Sequence, residues 1–446
     1  MAGNDQETRA LLKRLYEAAV RAALPEYCLT PHLPVPPEPG RGRLVIFAIG
    51  KAAAAMAAAT EDWYHANFPG THLEGLALTR YGHARSTRHV EVLECGHPIP
   101  DAAGEAASKR LLRLAEWTGP ADLALVLLSG GGSALTVQPM QGLTLADEIA
   151  LTKALLASGK QIGDINAVRK HISRIKGGRL AAMLHPARSV TLAISDVAGD
   201  NPSTIASGPT VPDTTSKARV MAVLGSLTPP ISADLYERIA ALPETPKPGD
   251  EIFAHAQYKL VASGSGSLGA AAALARKAGY EPVALGDALE GEARTLAESH
   301  AARALKARAE GKCVAIISGG EASVTIGEAE PGKGGPNQEY ALALAIALDG
   351  ADGIWALAAD TDGIDGGSGA SDDPAGAIVT PDTLKRAMER GLDPRNILAR
   401  HDSGTFFGEL DDLVKTGPSY TNVNDFRVIL VGTPEPASPD SPPENT

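Results

Sequence analysis

Short apolar runs alternate along this chain with stretches in which apolar residues recur every three or four positions. The runs at 43–49, 76–79, 90–95, 123–128 and 190–195 predict strands buried on both faces, and the stretches at 52–59, 105–117 and 144–158 predict the helices between them. Residues 5–24 set Leu11, Leu12, Leu15, Ala18, Ala19 and Ala22 on one face of an opening helix, followed by a Pro-rich link at 31–39. The alternation resumes with strands predicted at 258–262, 282–285, 313–318, 354–359 and 426–431. Strand and helix in regular alternation imply an α/β protein with mostly parallel sheets and helices on both faces.

At 446 residues the chain is long for one domain. The short polar stretch LPETPKPGD marks a boundary near 245, giving domains 1–245 and 246–432, with a disordered Pro-rich tail at 433–446. No fixed-period repeat is present. The balance of 41 basic and 53 acidic residues gives a charge of −12, which argues against nucleic acid and anionic membrane as partners. The opening MAGNDQETRALLKRL lacks the apolar core of a signal peptide and no run approaches 18 apolar residues, so the expectation is a cytoplasmic protein. Cys28, Cys95 and Cys313 are widely spaced, with neither a disulfide framework nor a thiolate metal site in prospect.

Two Gly-rich turns carry the candidate chemistry. Ser129-Gly130-Gly131-Gly132-Ser133 follows the run at 123–128. Its bare N–H groups suit an anion, although a tight strand-to-helix crossing would use the same residues. Asp360-Thr361-Asp362-Gly363-Ile364-Asp365-Gly366-Gly367 follows 354–359, and its three carboxylates suit a hard divalent cation such as Mg²⁺. An anion site combined with Mg²⁺ suggests phosphoryl transfer.

Other strand ends add to this. Gly50-Lys51 offers a charge clamp for phosphate oxygens without a Walker A pattern; a solvated lysine is the alternative. Gly96-His97-Pro98-Ile99-Pro100-Asp101 predicts a rigid turn with Asp101 capping a helix. Residues 169–179 hold five Lys or Arg residues in eleven positions, among them Arg169 and Lys170, either a solvated helix face or a substrate-facing turn. Asp196, in the 195–213 loop, can orient a hydroxyl, though Asx turns explain the same acids. Ser318-Gly319-Gly320-Glu321 is another Gly-rich strand end. The loop Gly332-Lys333-Gly334-Gly335-Pro336-Asn337-Gln338-Glu339 can close over a nucleotide ahead of a helix expected from Tyr340.

Together, GK at 50–51, GHPIPD at 96–101, SGGGSAL at 129–135, NAVRKHISRIKGGRLA at 166–181, SDVAGDNPSTIASGPTVPD at 195–213, GGPNQEYALALA at 334–345 and ADTDGIDGGSGASDD at 359–373 resemble the glycerate 2-kinases whose later half is the MOFRL domain. The resemblance runs from about residue 8 to residue 432. It implies two Rossmann-like α/β/α domains around an active-site cleft, ATP and Mg²⁺, phosphorylation of D-glycerate at its 2-hydroxyl, and a catalytic or phosphate-contacting Lys51. On that reading Lys51 and residues 129–133 hold phosphoryl oxygens, and Arg169 and Lys170 anchor the glycerate carboxylate. Asp196 orients the attacking hydroxyl. Gly319, Gly320, Glu321, Lys333, Asn337 and Glu339 surround the nucleotide, and Asp360, Asp362 and Asp365 hold the metal. A homodimer is left open. Some relatives carry Arg where this chain has Pro336, and Arg80, Arg169 or Lys333 could supply that cation here.

The competing activity is an NAD(P)H-dependent hydroxypyruvate reductase, a label that resembling sequences also bear. Gly264-Ser265-Gly266-Ser267-Leu268-Gly269 matches GxGxxG after a strand, with Asp287 near the position of a ribose-binding acid. Small residues packing a helix start against a strand explain the motif without a cofactor.

Overall fold

The computed structural model describes residues 2–327, 330–366 and 372–434; the tail beyond Pro434, expected to be disordered, lies outside them. The chain divides into two compact units. The first comprises residues 25–263 with 420–422, and the second comprises 1–24, 264–419 and the residues from 423 onward.

In the first unit, β1 (Leu44–Ile49), β2 (Leu73–Arg80), β3 (Val90–Cys95), β4 (Leu123–Leu128), β5 (Arg188–Ile194) and β6 (Ala256–Ala262) form one sheet. Their order is β3-β2-β1-β4-β5-β6, and every pairing is parallel. β1 and β4 are buried along their whole length, as continuous apolar runs must be when helices cover both faces of a parallel sheet. The helix Ala102–Glu116 packs Leu111, Leu112 and Ala115 into this core, and Asp101 caps it as expected, accepting the Gly104 N–H at 2.8 Å. Strand order reverses between β1 and β4, so the crevice at their carboxyl ends is where such a sheet collects ligands.

The division between units falls after Ser263, later than the boundary read near 245. The Pro-rich stretch there is not a free linker: Thr245 Oγ1 donates to Asp213 at 2.9 Å, and Lys247 Nζ donates to the Thr215 carbonyl at 2.5 Å. β6 then adds an edge strand to the first sheet before the chain leaves the unit.

The second unit holds β7 (Glu281–Gly286), β8 (Glu290–Glu292), β9 (Val314–Ser318), β10 (Glu321–Ser323), β11 (Ile354–Asp360), β12 (Gly376–Val379), β13 (Leu413–Val414) and β14 (Asp425–Val431). β8 and β10 form a small parallel ribbon, and the others form a sheet in the order β13-β12-β11-β14-β9-β7. The expectation of mostly parallel sheets is corrected here: among the described pairings of the larger sheet only β7–β9 is parallel. β14 comes last in the chain yet inserts between β9 and β11, and β12 is a four-residue strand with too little pattern to announce itself. The helices Ala2–Ala22 and Gly264–Lys277 cover one face with Leu11, Leu12, Leu15, Leu268 and Ala271, while Ala293–Ala309 and Pro336–Leu348 cover the other. Burying each of those leucines contributes about 1.5–3 kcal/mol, which ties the start of the chain to this later sheet. Among the described residues no helix is long and apolar enough to cross a membrane.

Candidate active site at the strand ends of the first unit

Residues from the carboxyl ends of five adjacent parallel strands form this site. Gly50-Lys51 follows β1, Arg80 ends β2, His97 lies just past β3, the Ser129–Ser133 turn follows β4, and Asp196 follows β5. The β1 and β4 turns interlock through hydrogen bonds. Lys51 N–H donates to the Gly130 carbonyl at 2.8 Å, and Ser129 N–H to Ile49 at 2.9 Å. A Cβ on Gly50, whose φ is +130°, would run into Ser129, so only glycine permits the approach.

Each glycine of 130–132 makes room for a different neighbour. A Cβ on Gly130 would overlap the Asp196 carboxylate, and one on Gly132 would lie 2.7 Å from the Ala206 methyl. Gly131 has φ +79°, and a Cβ there would sit 2.9 Å from His97 Nε2 and 3.2 Å from Lys51 Cγ. The Lys51 stem and the His97 ring therefore flank the turn. The Gly130 and Gly131 N–H groups meet no acceptor among the described residues, leaving donors for an oxyanion beside the Lys51 stem. His97 is pulled down to about 4, by burial first and then by the positive field of Lys51, Arg80 and His83. The field at this spot favours an anion.

Ser129 and Ser133 have structural partners. Ser129 Oγ accepts the Ala52 N–H at 3.0 Å at the start of the helix Ala53–Asn67, and Ser133 Oγ lies 2.7 Å from Ser207 Oγ. Asp196 accepts from Asn422 Nδ2 at 3.3 Å. The loop beyond Asp196 carries Asp200, Ala206 and Ser207 at φ 53°, 49° and 59°, a left-handed conformation that costs non-glycine residues energy and gathers at functional sites.

Lys170 does not stand in the site as expected. It is buried, and its ammonium is held by Ser203 Oγ and, at 3.3 Å, by Asp213, so it braces the 195–213 loop. Arg169 is half-buried on the same helix with no hydrogen bond or ion pair among the described residues; burial lowers its pKa, with Glu148 partly opposing.

In the second unit the expected metal and nucleotide residues separate. Asp365 is fully buried and accepts from Asn337 N–H at 2.9 Å, Asn337 Nδ2 at 3.1 Å, Gln338 N–H at 2.8 Å and Gln338 Nε2 at 3.0 Å. It caps the helix Pro336–Leu348, which begins four residues before the start expected from the sequence, and is pushed up to about 7 by burial, against those donors. Asp360 Oδ1 accepts the Asp362 N–H at 2.8 Å, and Asp362 Oδ1 the Ile364 N–H at 2.9 Å. Among the described residues no group of three His, Cys, Asp or Glu side chains is arranged to hold a metal; Gly367, at the end of the motif, lies outside them. Asn337 Nδ2 also reaches Asp425 at 2.5 Å, and Asp425 pairs with buried Arg427. Glu339 binds Arg294 at 2.7 Å and His401 at 3.0 Å. Gly320, at φ +94°, exists for a steric reason, since a Cβ would strike Leu289, and Glu321 enters β10. Of the expected nucleotide contacts only Lys333 and Glu339 line the cavity of about 840 Å³ in this unit, beside Gln338, Asp365 and His401. Asn337, Gly319, Gly320 and Glu321 do not.

Sequence reasoning passed over His83, which orients Arg80, and the buried Asp425–Arg427 pair. Neither lies in a Gly-rich turn, and only an orphaned or buried charge in the fold reveals them.

The α/β architecture with an anion-directed site at a strand-order reversal places the chain among small-molecule α/β enzymes. Residues 11–240 match the family described as "Domain of unknown function (DUF4147)", and residues 314–425 match the MOFRL family. The chain is 35% identical to the D-glycerate 2-kinase of Thermotoga maritima over 96% of this chain and 99% of that one, and 36% identical to the glycerate 2-kinase of Pyrococcus horikoshii over 88% of each. An Agrobacterium vitis protein named "Putative hydroxypyruvate reductase" is 48% identical over 97% of this chain and 96% of its own. The crystal structure of glycerate kinase from Thermotoga maritima superimposes with a TM-score of 0.84 at 34% identity, covering 96% of this chain and all of that one. The chain belongs to the glycerate 2-kinase family that joins these two modules.

Proposed function

We propose that the protein transfers the γ-phosphoryl group of ATP to the 2-hydroxyl of D-glycerate, giving 2-phosphoglycerate and ADP. The observation that carries this reading is the switch-point turn, where Lys51 flanks open backbone N–H groups beside a His97 whose pKa is lowered by burial first and then by Lys51 and Arg80. Phosphoryl transfer needs positioning and charge neutralisation more than covalent chemistry. In this account Lys51 and the Gly130 and Gly131 N–H groups hold phosphoryl oxygens, and Asp196, packed on Gly130, orients the attacking hydroxyl. Within the second unit, Lys333 lines the cavity and is a candidate nucleotide contact.

The carboxylates of Asp360 and Asp362 are of the type that holds Mg²⁺, which typically takes one or two protein carboxylates together with nucleotide phosphates. Their negative field is felt by buried Tyr16, whose pKa rises through burial first and Asp360 next. Asp365 is left out of this set, because its four donors already occupy both oxygens. When bound, the ion would offset charge on the phosphates.

The reductase reading rests on the name of two relatives, 48% and 47% identical, and on residues 264–269. In a dinucleotide fingerprint, strand, glycine turn and helix belong to one βαβ unit. Here β6 completes the first sheet, whereas the helix Gly264–Lys277 and β7 belong to the second unit. The deciding experiment offers the pure protein ATP with D-glycerate and NADH with hydroxypyruvate. ADP formation without NADH oxidation supports the kinase; the reverse pattern overturns it.

A further inference from the structure

Arg80 is the last residue of β2, next to the interlocked β1 and β4 turns: its neighbour Thr79 donates through Oγ1 to the Lys51 carbonyl at 3.1 Å. The Arg80 Nε donates to His83 Nε2 at 2.6 Å. For His83 to accept there, the imidazole must be neutral with its proton on Nδ1. The ring is 5% exposed and packs edge-on against Tyr420, with centroids 6.3 Å apart, and Arg85 covers the same Tyr420 ring at 4.7 Å. The imidazole is thus fixed, and it fixes the guanidinium.

One terminal nitrogen of Arg80 is left over. Its Nη2 is buried and meets no acceptor among the described residues. Nearby carboxylates are engaged elsewhere: Glu94 accepts the Gly82 N–H at 2.7 Å, and Asp101 accepts Tyr81 Oη at 2.7 Å while capping its helix. Leaving a buried guanidinium N–H unsatisfied is costly unless a ligand completes it. The same group adds to the field that depresses His97.

We propose that Arg80, held by His83, seats the carboxylate of the acceptor substrate, with Lys51 and the Gly130 and Gly131 N–H groups left to the phosphoryl oxygens. A planar guanidinium edge matches a carboxylate, whereas a lysine beside clustered backbone donors suits phosphate. His83 acts through Arg80 and is a positioning residue. The assignment rests on the kinase reading above and deepens it.

The test is steady-state kinetics with thermal-shift binding on the full-length protein. Arg80→Gln should raise the KM for D-glycerate by about tenfold to a hundredfold, the value of a hydrogen bond to a charged group, while the KM for ATP and the kcat at saturating glycerate change little. Arg80→Lys should fall between. D-Glycerate should raise the melting temperature of the wild type but not of Arg80→Gln, while ATP raises both. His83→Leu should raise the glycerate KM alone, and His83→Gln, whose amide oxygen can accept from Nε, should restore it. An unchanged glycerate KM in folded Arg80→Gln, or a loss falling on ATP KM or on kcat, would overturn the assignment. Failure of the wild type to phosphorylate D-glycerate would strike the kinase reading instead, and the thermal shift would still report whether Arg80 binds the carboxylate.

Discussion

Lys51 is the residue on which the proposed chemistry depends most, and the sequence placed its Gly-Lys pair at the end of a buried run. Lys51→Met keeps much of the volume and removes the charge. If the ammonium stabilises charge developing on the phosphoryl oxygens, kcat should fall by about a hundredfold or more with a smaller change in KM; steady-state kinetics on the folded variant checks this. The neighbouring His97 gives a pH signature. Its folded value of about 4 lies below the ordinary 6.5 because of burial and then Lys51, Arg80 and His83. Between those values the unfolded chain binds a proton that the folded chain refuses, so stability is lost as pH falls from about 6.5 through about 4. His97→Gln should make that limb shallower in urea titrations across the same range, the remainder belonging to His300, which burial also lowers to about 4. Lys170 shows what residue types alone hide: in sequence it is one of a run of cations, and only its buried contacts with Ser203 and Asp213 identify it as a brace.

At the scale of elements, the three glycines of the β4 turn were legible as a site of close approach, but what approaches was not. Gly130→Ala would push its methyl into the Asp196 carboxylate, a flexible side-chain end, so the protein should fold with a nearly unchanged melting temperature yet lose most of its activity. In the acidic turn after β11, Asp365 is held by four donors while Asp360 and Asp362 are the proposed metal carboxylates, a difference that three aspartates in six residues do not show. Asp365→Asn would put an amide NH₂ against donors from Asn337 and Gln338, costing on the order of 2–3 kcal/mol. Its melting temperature should drop by several degrees while the Mg²⁺ dependence of turnover stays that of the wild type. Asp362→Asn should instead need more Mg²⁺ for half-maximal rate, as a titration of initial rate against Mg²⁺ would show. The strands of the first sheet matched the apolar runs closely, most plainly β1 and β4, whose full burial leaves a continuous apolar signature. The antiparallel pairings of the second sheet left none, because a continuous buried run carries no mark of direction and β12 is too short to show a period.

For the whole molecule, the chain's path is less regular than the alternation suggested. The opening helix covers the later sheet, and the Pro-rich stretch at 245 is fastened within the first unit. Both are long-range packing choices that local pattern cannot express. The same path explains why the GxGxxG match misleads: its strand and helix serve different sheets. Among the described residues nothing lies within 4 Å of a Cβ on Gly266, so Gly266→Ala, in the first turn of the helix Gly264–Lys277, should keep ATP-dependent turnover and leave stability unchanged or raised by up to about 1 kcal/mol; calorimetry beside the kinase assay tests both. The central claim is transfer to the 2-hydroxyl, and the most direct measurement couples the product to enolase. With D-glycerate, ATP and enolase, and without phosphoglycerate mutase, the absorbance of phosphoenolpyruvate should rise; an absolute requirement for the mutase would mean that the 3-hydroxyl is phosphorylated and would contradict the account.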